Sequence, residues 1–144
     1  MNYELTTSPS EQDAKTISRG LVEFNHKAAG NLEPEEKAVG FSIFARDAEG
    51  EIVGGLRATC FWNTLHVELL WVTESARGAG TGSALLRQAE QFAIENDFEQ
   101  ALTETTSWQS KPFYEKHGYE LMATLSNYPK GHDCHFLTKK LTPI

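Results

Sequence analysis

Residues Trp71–Leu85 read Trp-Val-Thr-Glu-Ser-Ala-Arg-Gly-Ala-Gly-Thr-Gly-Ser-Ala-Leu, and no other stretch limits the fold as much. An apolar strand end runs into three glycines at alternate positions, and then into an amphipathic helix. Glycines so spaced let the backbone take positive φ and approach a ligand closely. The first N–H groups of a helix have no partner within it and carry the positive end of its dipole. Such a turn suits an anionic pyrophosphate, and Arg77 adds a full charge beside it. Gly-x-x-x-x-Gly-Lys-Ser/Thr does not occur, so the turn is no P-loop. A dinucleotide fingerprint is an alternative through Gly78-x-Gly80, with Asp97 and Glu99 about 20 residues on, although Ser83 stands at its third glycine. A turn with no ligand is the other alternative.

The flanking pattern places this turn within a mixed sheet. Tyr3 and Leu5 alternate in a short possible strand. Ser10 then caps a helix whose Ala14, Ile17, Leu21 and Phe24 recur on one face. Gly30 and Pro34 make residues 25–36 a loop or broken helix. From Val39 the period is that of a strand, with Phe41, Ile43 and Ala45 on one side. Asp47 to Gly50 turns the chain into Ile52–Trp62, and Asn63-Thr64 turns it again into Leu65–Val72. The glycine turn therefore follows an antiparallel meander, which argues against a βαβ unit. After it, Leu85, Ala89, Phe92 and Ala93 share a helical face in Ser83–Asn96. Ala101–Thr106 reads as a strand. Gln109–His117 reads as a short helix, with Pro112 in its first turn and Gly118 just past its end. Tyr119–Leu125 and Cys134–Leu141 are the last strands. The predicted fold class is α/β with a mixed sheet, in the order β-α-βββ-α-β-α-ββ.

At 144 residues the chain is expected to form a single domain, residues 1–144, that buries enough surface to need no metal or disulfide. A formal net charge of −7 repels phosphate backbones, so nucleic acid is not an expected partner. The same charge mildly favours cationic small molecules, although acidity for solubility alone is the plainer reading. Cys60 and Cys134 are the two cysteines, in no paired motif, which points to a reducing cytoplasm. No run approaches the ~20 apolar residues of a membrane span, so no membrane partner is expected.

The motif Arg77-Gly78-Ala79-Gly80-Thr81-Gly82 after a Trp-Val strand end resembles the acetyl-CoA motif of the GNAT N-acetyltransferases, Gln/Arg-x-x-Gly-x-Gly/Ala. Arg77, Gly80 and Gly82 stand at its defining positions, and the element order matches that fold over nearly the whole chain. A second stretch, Thr106–Tyr119, is similar to the family's Asn-x-x-Ala-x-x-x-Tyr-x-x-x-Gly-Phe, with Tyr114, Gly118 and Tyr119 matching and Ser107 and Ser110 in place of Asn and Ala. It looks closest to a small bacterial single-domain branch with Phe-Tyr-x-Lys-His-Gly-Tyr followed by Pro-Lys-Gly-His, here Pro129–His132. The resemblance implies a sheet splayed between Leu65–Val72 and Ala101–Thr106, with acetyl-CoA in the splay. It implies that backbone amides of Gly78, Ala79, Gly80, Thr81, Gly82 and Ser83 grip the pyrophosphate. It also implies that the backbone of Leu70, Trp71 and Val72 pairs with the pantetheine arm. The acetyl group would pass directly to an amine in a ternary complex, and homodimers are common in the fold. Tyr114 would protonate the departing thiolate, since a phenol with an ordinary pKa of about 10 is protonated at neutral pH.

An amine of pKa about 10.4 must lose a proton before it attacks, at a cost of roughly 4.6 kcal/mol at neutral pH. His66 and Glu68 lie two apart on one strand, so both point to one face and either can serve as base. A solvated or structural pair is the plainer reading of the same two residues. His132, Cys134 and His135 make a small cluster that nothing else completes, so no metal is expected. A non-catalytic acyl-CoA sensor on the same fold is the alternative function.

Overall fold

The computed structural model describes residues 1–34 and 37–142. The chain divides into two compact units, Met1–Pro34 and Glu35–Ile144.

In the first unit, α1 spans Glu11–Ala28, and Ser10 Oγ accepts from the Asp13 N–H at 3.1 Å as the N-cap. None of its residues is buried: Ile17, Leu21 and Phe24 are exposed. The helix continues through Asn25–Ala28, further than expected, and closes where the Ala29 N–H meets Asn25 O at 2.8 Å. The remainder of the expected loop includes residues 35 and 36, which lie outside the described residues. The expected first strand at Tyr3 and Leu5 does not form. Two alternating apolar residues hold a strand only where a ladder partner takes up their backbone groups, and both are left almost fully exposed.

Among the described residues, the second unit is a six-stranded mixed sheet with two helices. Its strands are β1 (Val39–Arg46), β2 (Ile52–Phe61), β3 (Thr64–Val72), β4 (Gln100–Thr106), β5 (Glu120–Ser126) and β6 (Asp133–Lys140), in the spatial order β1-β2-β3-β4-β6-β5. The helices are α2 (Thr81–Glu95) and α3 (Lys111–Lys116). The turn into β3 falls on Trp62 and Asn63, one residue earlier than predicted, with Trp62 at φ 51°.

The core lies where α2 meets the sheet. Leu56, Ala58 and Cys60 of β2 and Leu65 and Val67 of β3 pack with Leu85, Leu86, Ala89 and Ala93 of α2. Leu86 is fully buried, and a leucine so placed contributes about 2 kcal/mol. Burial pushes the Cys60 thiol up to about 11, so it stays protonated and inert in the folded protein. The buried Glu90 of α2 and Tyr119 form a polar triad with the partly exposed Lys139 of β6. Glu90 accepts from Tyr119 Oη at 2.8 Å and from Lys139 Nζ at 2.8 Å, so the carboxylate is charge-paired as burial requires.

Two irregularities open the sheet on one side. Between β2 and β3 the register slips: Arg57 faces Leu69 while Ala58 faces Val67, which leaves Glu68 as a bulge residue. The bulge reverses the parity of β3, so Leu65 and Val67 are buried before it, and Leu70 and Val72 are the half-buried positions after it. Between β3 and β4 the parallel pairing covers only Thr64–Val67 against Gln100–Thr103. Beyond Thr103, β4 continues against β6 as far as Thr106 opposite Cys134, while β3 continues against β2. The sheet forks there.

Candidate active site

The fork opens onto the glycine turn. Thr73 N–H bonds Val53 O at 2.8 Å, and antiparallel pairs alternate in the direction of their backbone groups. Leu70 and Val72 therefore turn their N–H and C=O away from β2 and into the fork. Val72 O agrees with this, since it accepts from Arg77 Nε at 3.2 Å. Past a short 3-10 turn at Glu74–Ala76, Gly78 and Gly80 have φ of 82° and 81°, the left-handed region in which glycine carries no steric penalty. Gly80 is the N-cap of α2 and offers it no side-chain acceptor. Its carbonyl accepts from the Ala84 N–H at 2.9 Å, so Thr81, Gly82 and Ser83 are left with N–H groups unmatched inside the helix.

A cleft of about 810 Å³ runs along these groups. Leu70, Trp71, Val72, Arg77, Gly78, Gly80, Thr81, Gly82 and Ser83 line it; Ala79 does not, and is exposed on the turn. The opposite wall comes from Trp108, Gln109, Ser110, Phe113 and Lys116, none of which the sequence singled out as coenzyme contacts. Two cations, free amides at a helix start and an apolar strand edge are what an acyl chain carried on a phosphorylated nucleotide needs, so the residues fit acetyl-CoA.

Tyr114 is 4% exposed and does not line that cleft. Its ring packs edge-on against Phe113 at 5.3 Å and Tyr119 at 5.4 Å. Burial pushes its phenol above the ordinary value, and the adjacent Thr103 hydroxyl pulls it back in part. Thr103 donates its own proton to Val67 O at 3.2 Å. Thr103 and Val67 are the last β3–β4 pair, so the Tyr114 hydroxyl sits at the crotch of the fork.

His66 and Glu68 are not lining residues of the coenzyme cleft. Glu68 belongs instead to a shallower hollow of about 320 Å³ with Gly40, Phe41, Ser42, Arg57, Ala58 and Thr59. Its carboxylate accepts from Thr59 Oγ1 and, at 2.9 Å, from Arg57 Nε. The Thr59 hydroxyl above all, with Arg57 and His66 adding to it, holds it below the usual carboxylate range against the opposing effect of burial. A carboxylate so held gives up little free energy by accepting a proton, which weakens it as a base.

Several polar residues around the end of β4 and the start of β6 are tied to neighbours. Gln109 Oε1 accepts from the Thr106 N–H at 2.9 Å and so closes the end of β4. His132 lies 3.2 Å from Ser107 Oγ and edge-on to Trp108 at 4.7 Å, which joins the Pro-Lys-Gly-His piece to the mouth of the cleft. His135 bonds Thr124, and Cys134 Sγ faces Glu104 Oε2 at 3.6 Å, so the His/Cys cluster is divided among separate partners. His117, the histidine of the Phe-Tyr-x-Lys-His-Gly-Tyr stretch, bonds Ser83 in the first turn of α2.

Comparison with known proteins bears on this geometry. The acetyltransferase (GNAT) domain model matches residues 39–121, more than half the chain. The chain belongs to the GNAT acetyltransferase family. This acetyltransferase is 41% identical over 102 residues to the blasticidin-S acetyltransferase of Streptomyces morookaense, covering 70% of the chain and 75% of that protein. It superposes on an acetyltransferase from Bacillus cereus ATCC 14579 with a TM-score of 0.83 and 30% identity, over 96% of this chain and 98% of that one. It shares the fold of a Bacillus anthracis str. Ames protein solved in complex with acetyl coenzyme A, with a TM-score of 0.63 and 22% identity over 70% of this chain and 62% of that one. It is an acetyl-CoA-dependent acetyltransferase.

Proposed function

We propose that the chain transfers the acetyl group of acetyl-CoA directly to the primary amine of a small cationic molecule, with blasticidin S the first acceptor to test. The observation that carries this reading is the fork: it opens a free strand edge and unmatched helix amides onto one cleft, with the buried Tyr114 phenol at its crotch, behind the cleft lining. The 41% identity to a blasticidin-S acetyltransferase supports a small-molecule acceptor, and the net charge of −7 supports a cationic one. Arg77 and the amides at the start of α2 hold the pyrophosphate. The backbone of Leu70 and Val72 pairs with the pantetheine arm, and a free N–H there polarises the thioester carbonyl. Tyr114 gives its proton to the sulfur as the C–S bond breaks, and the acceptor amine passes its own proton to a base.

A thiol-release assay with acetyl-CoA and a panel of amines tests the reading. Turnover is expected with blasticidin S, ahead of polyamines and amino-terminal peptides. Binding of CoA without thiol release from any amine would favour the acyl-CoA sensor.

His66 is the better candidate for the base, because Glu68 is held ionised by Thr59 and Arg57. His66→Gln should remove the acidic limb of the kcat/KM profile, whereas Glu68→Gln should leave that limb in place. A limb untouched by either substitution would mean that the amine loses its proton another way.

A further inference from the structure

The Ser83–His117 pair links the two helices that frame the cleft, and the position of Ser83 is what makes the pair informative. Ser83 is the third residue of α2, it lines the cleft, and its N–H is one of the unmatched amides. Its hydroxyl lies 2.8 Å from His117 Nε2, at the C-terminal end of α3. The His117 ring packs at 4.7 Å on Phe113, another lining residue, so the imidazole forms a second layer behind the phosphate-facing wall.

We propose that His117 is a positioning residue for the coenzyme: its Nε2 sets the direction of the Ser83 hydroxyl proton, and thereby whether Ser83 can donate to the coenzyme pyrophosphate. The inference rests on the reading of the glycine turn as the pyrophosphate site. A hydroxyl has one proton. If Nε2 is unprotonated it accepts that proton, and Ser83 presents only lone pairs to the anion. If Nε2 carries a proton it donates to Ser83 Oγ, and the hydroxyl proton is free to point into the cleft. A doubly protonated ring allows only the second arrangement, and adds a positive charge one hydrogen bond behind the phosphate.

The groups around the ring place the switch. Burial holds His117 below the ordinary histidine value. The Glu90 carboxylate on α2 raises it, while Lys139 on β6, Arg87 on α2 and Lys116 on α3 lower it. The unliganded ring is therefore neutral at neutral pH, and an anion on Ser83 favours its protonation. Binding of CoA should then take up a proton at His117 and tighten as pH falls.

Calorimetric titration of CoA into wild type, Ser83→Ala, His117→Gln, the double variant and Arg77→Ala, at pH 6 and pH 8, tests this. Subtracting His117→Gln from wild type cancels protons taken by the coenzyme's own phosphates. At pH 6 each of Ser83→Ala and His117→Gln should bind about tenfold more weakly, as loss of a charge-assisted hydrogen bond predicts, and the double variant no more weakly than Ser83→Ala. The wild type should gain affinity between pH 8 and pH 6 relative to His117→Gln, with a larger proton uptake. A thermal melt of each variant excludes a mere loss of fold. If Arg77→Ala weakens binding but His117→Gln keeps the wild-type affinity and pH slope, the inference fails and the glycine-turn site stands. If the two losses add, the pair is only an interhelical staple and the inference again fails. If Arg77→Ala and wild type bind CoA alike, the site reading falls and takes the inference with it.

Discussion

Tyr114→Phe is expected to lower turnover by about two orders of magnitude while leaving CoA affinity within a few-fold. The substitution removes one hydroxyl and keeps a ring that is 4% exposed and packed against Phe113 and Tyr119. General acid catalysis typically supplies about 10²–10⁴ in rate, or roughly 3–5 kcal/mol of barrier. The phenol is set up to remain protonated, because burial raises it above its ordinary value. The loss should appear in kcat more than in KM, since the proton is needed only as sulfur departs. Steady-state kinetics with the preferred acceptor are the measurement. Activity within about threefold of wild type would assign the proton to water or another donor, and leave Tyr114 as packing beneath the fork.

Gly80→Val should abolish measurable CoA binding, weakening it by at least about a hundredfold, or ~2.7 kcal/mol. Gly80 has φ of 81°, and a Cβ built there meets nothing within 4 Å. The added side chain would therefore strike no part of the protein, and it would stand on a residue that lines the cleft, where it would crowd a bound coenzyme. A β-branched residue also resists that backbone conformation, so the turn would relax and swing the amides of Thr81 and Gly82 out of line. Calorimetry gives the affinity, and circular dichroism establishes that the sheet and α2 persist. A folded variant that binds CoA as wild type does would remove the turn from the coenzyme site.

Local patterns were legible in the sequence where one element alone sets them. Leu85, Ala89 and Ala93 declared the buried face of α2 through a period that helix geometry imposes, and all three are buried. Ser10 and Gly118 marked helix ends, because capping involves only neighbours along the chain. Tyr3 and Leu5 misled, since their alternation is equally local but a strand also requires a partner across the ladder. The bulge at Glu68 left a faint trace, the change from Leu65 and Val67 to Leu70 and Val72 as the inward pair. That trace would have shown where β3 turns its edge to the fork.

The sequence by itself determined the glycine turn and the amphipathic elements, because steric freedom at glycine and periodic burial are written in consecutive residues, and the family followed from the likeness of two motifs to those of known acetyltransferases. Only the tertiary structure decided the rest. Thr59 and Arg57 reach Glu68 across two strands and make it a poor base. Tyr114 comes to Thr103 where β3 and β4 part. Ser83 meets His117 across 34 residues of chain. The last two depend on how elements distant in sequence are brought within hydrogen-bonding reach, and the first on a register shift within the β2–β3 hairpin, none of which spacing along the chain encodes.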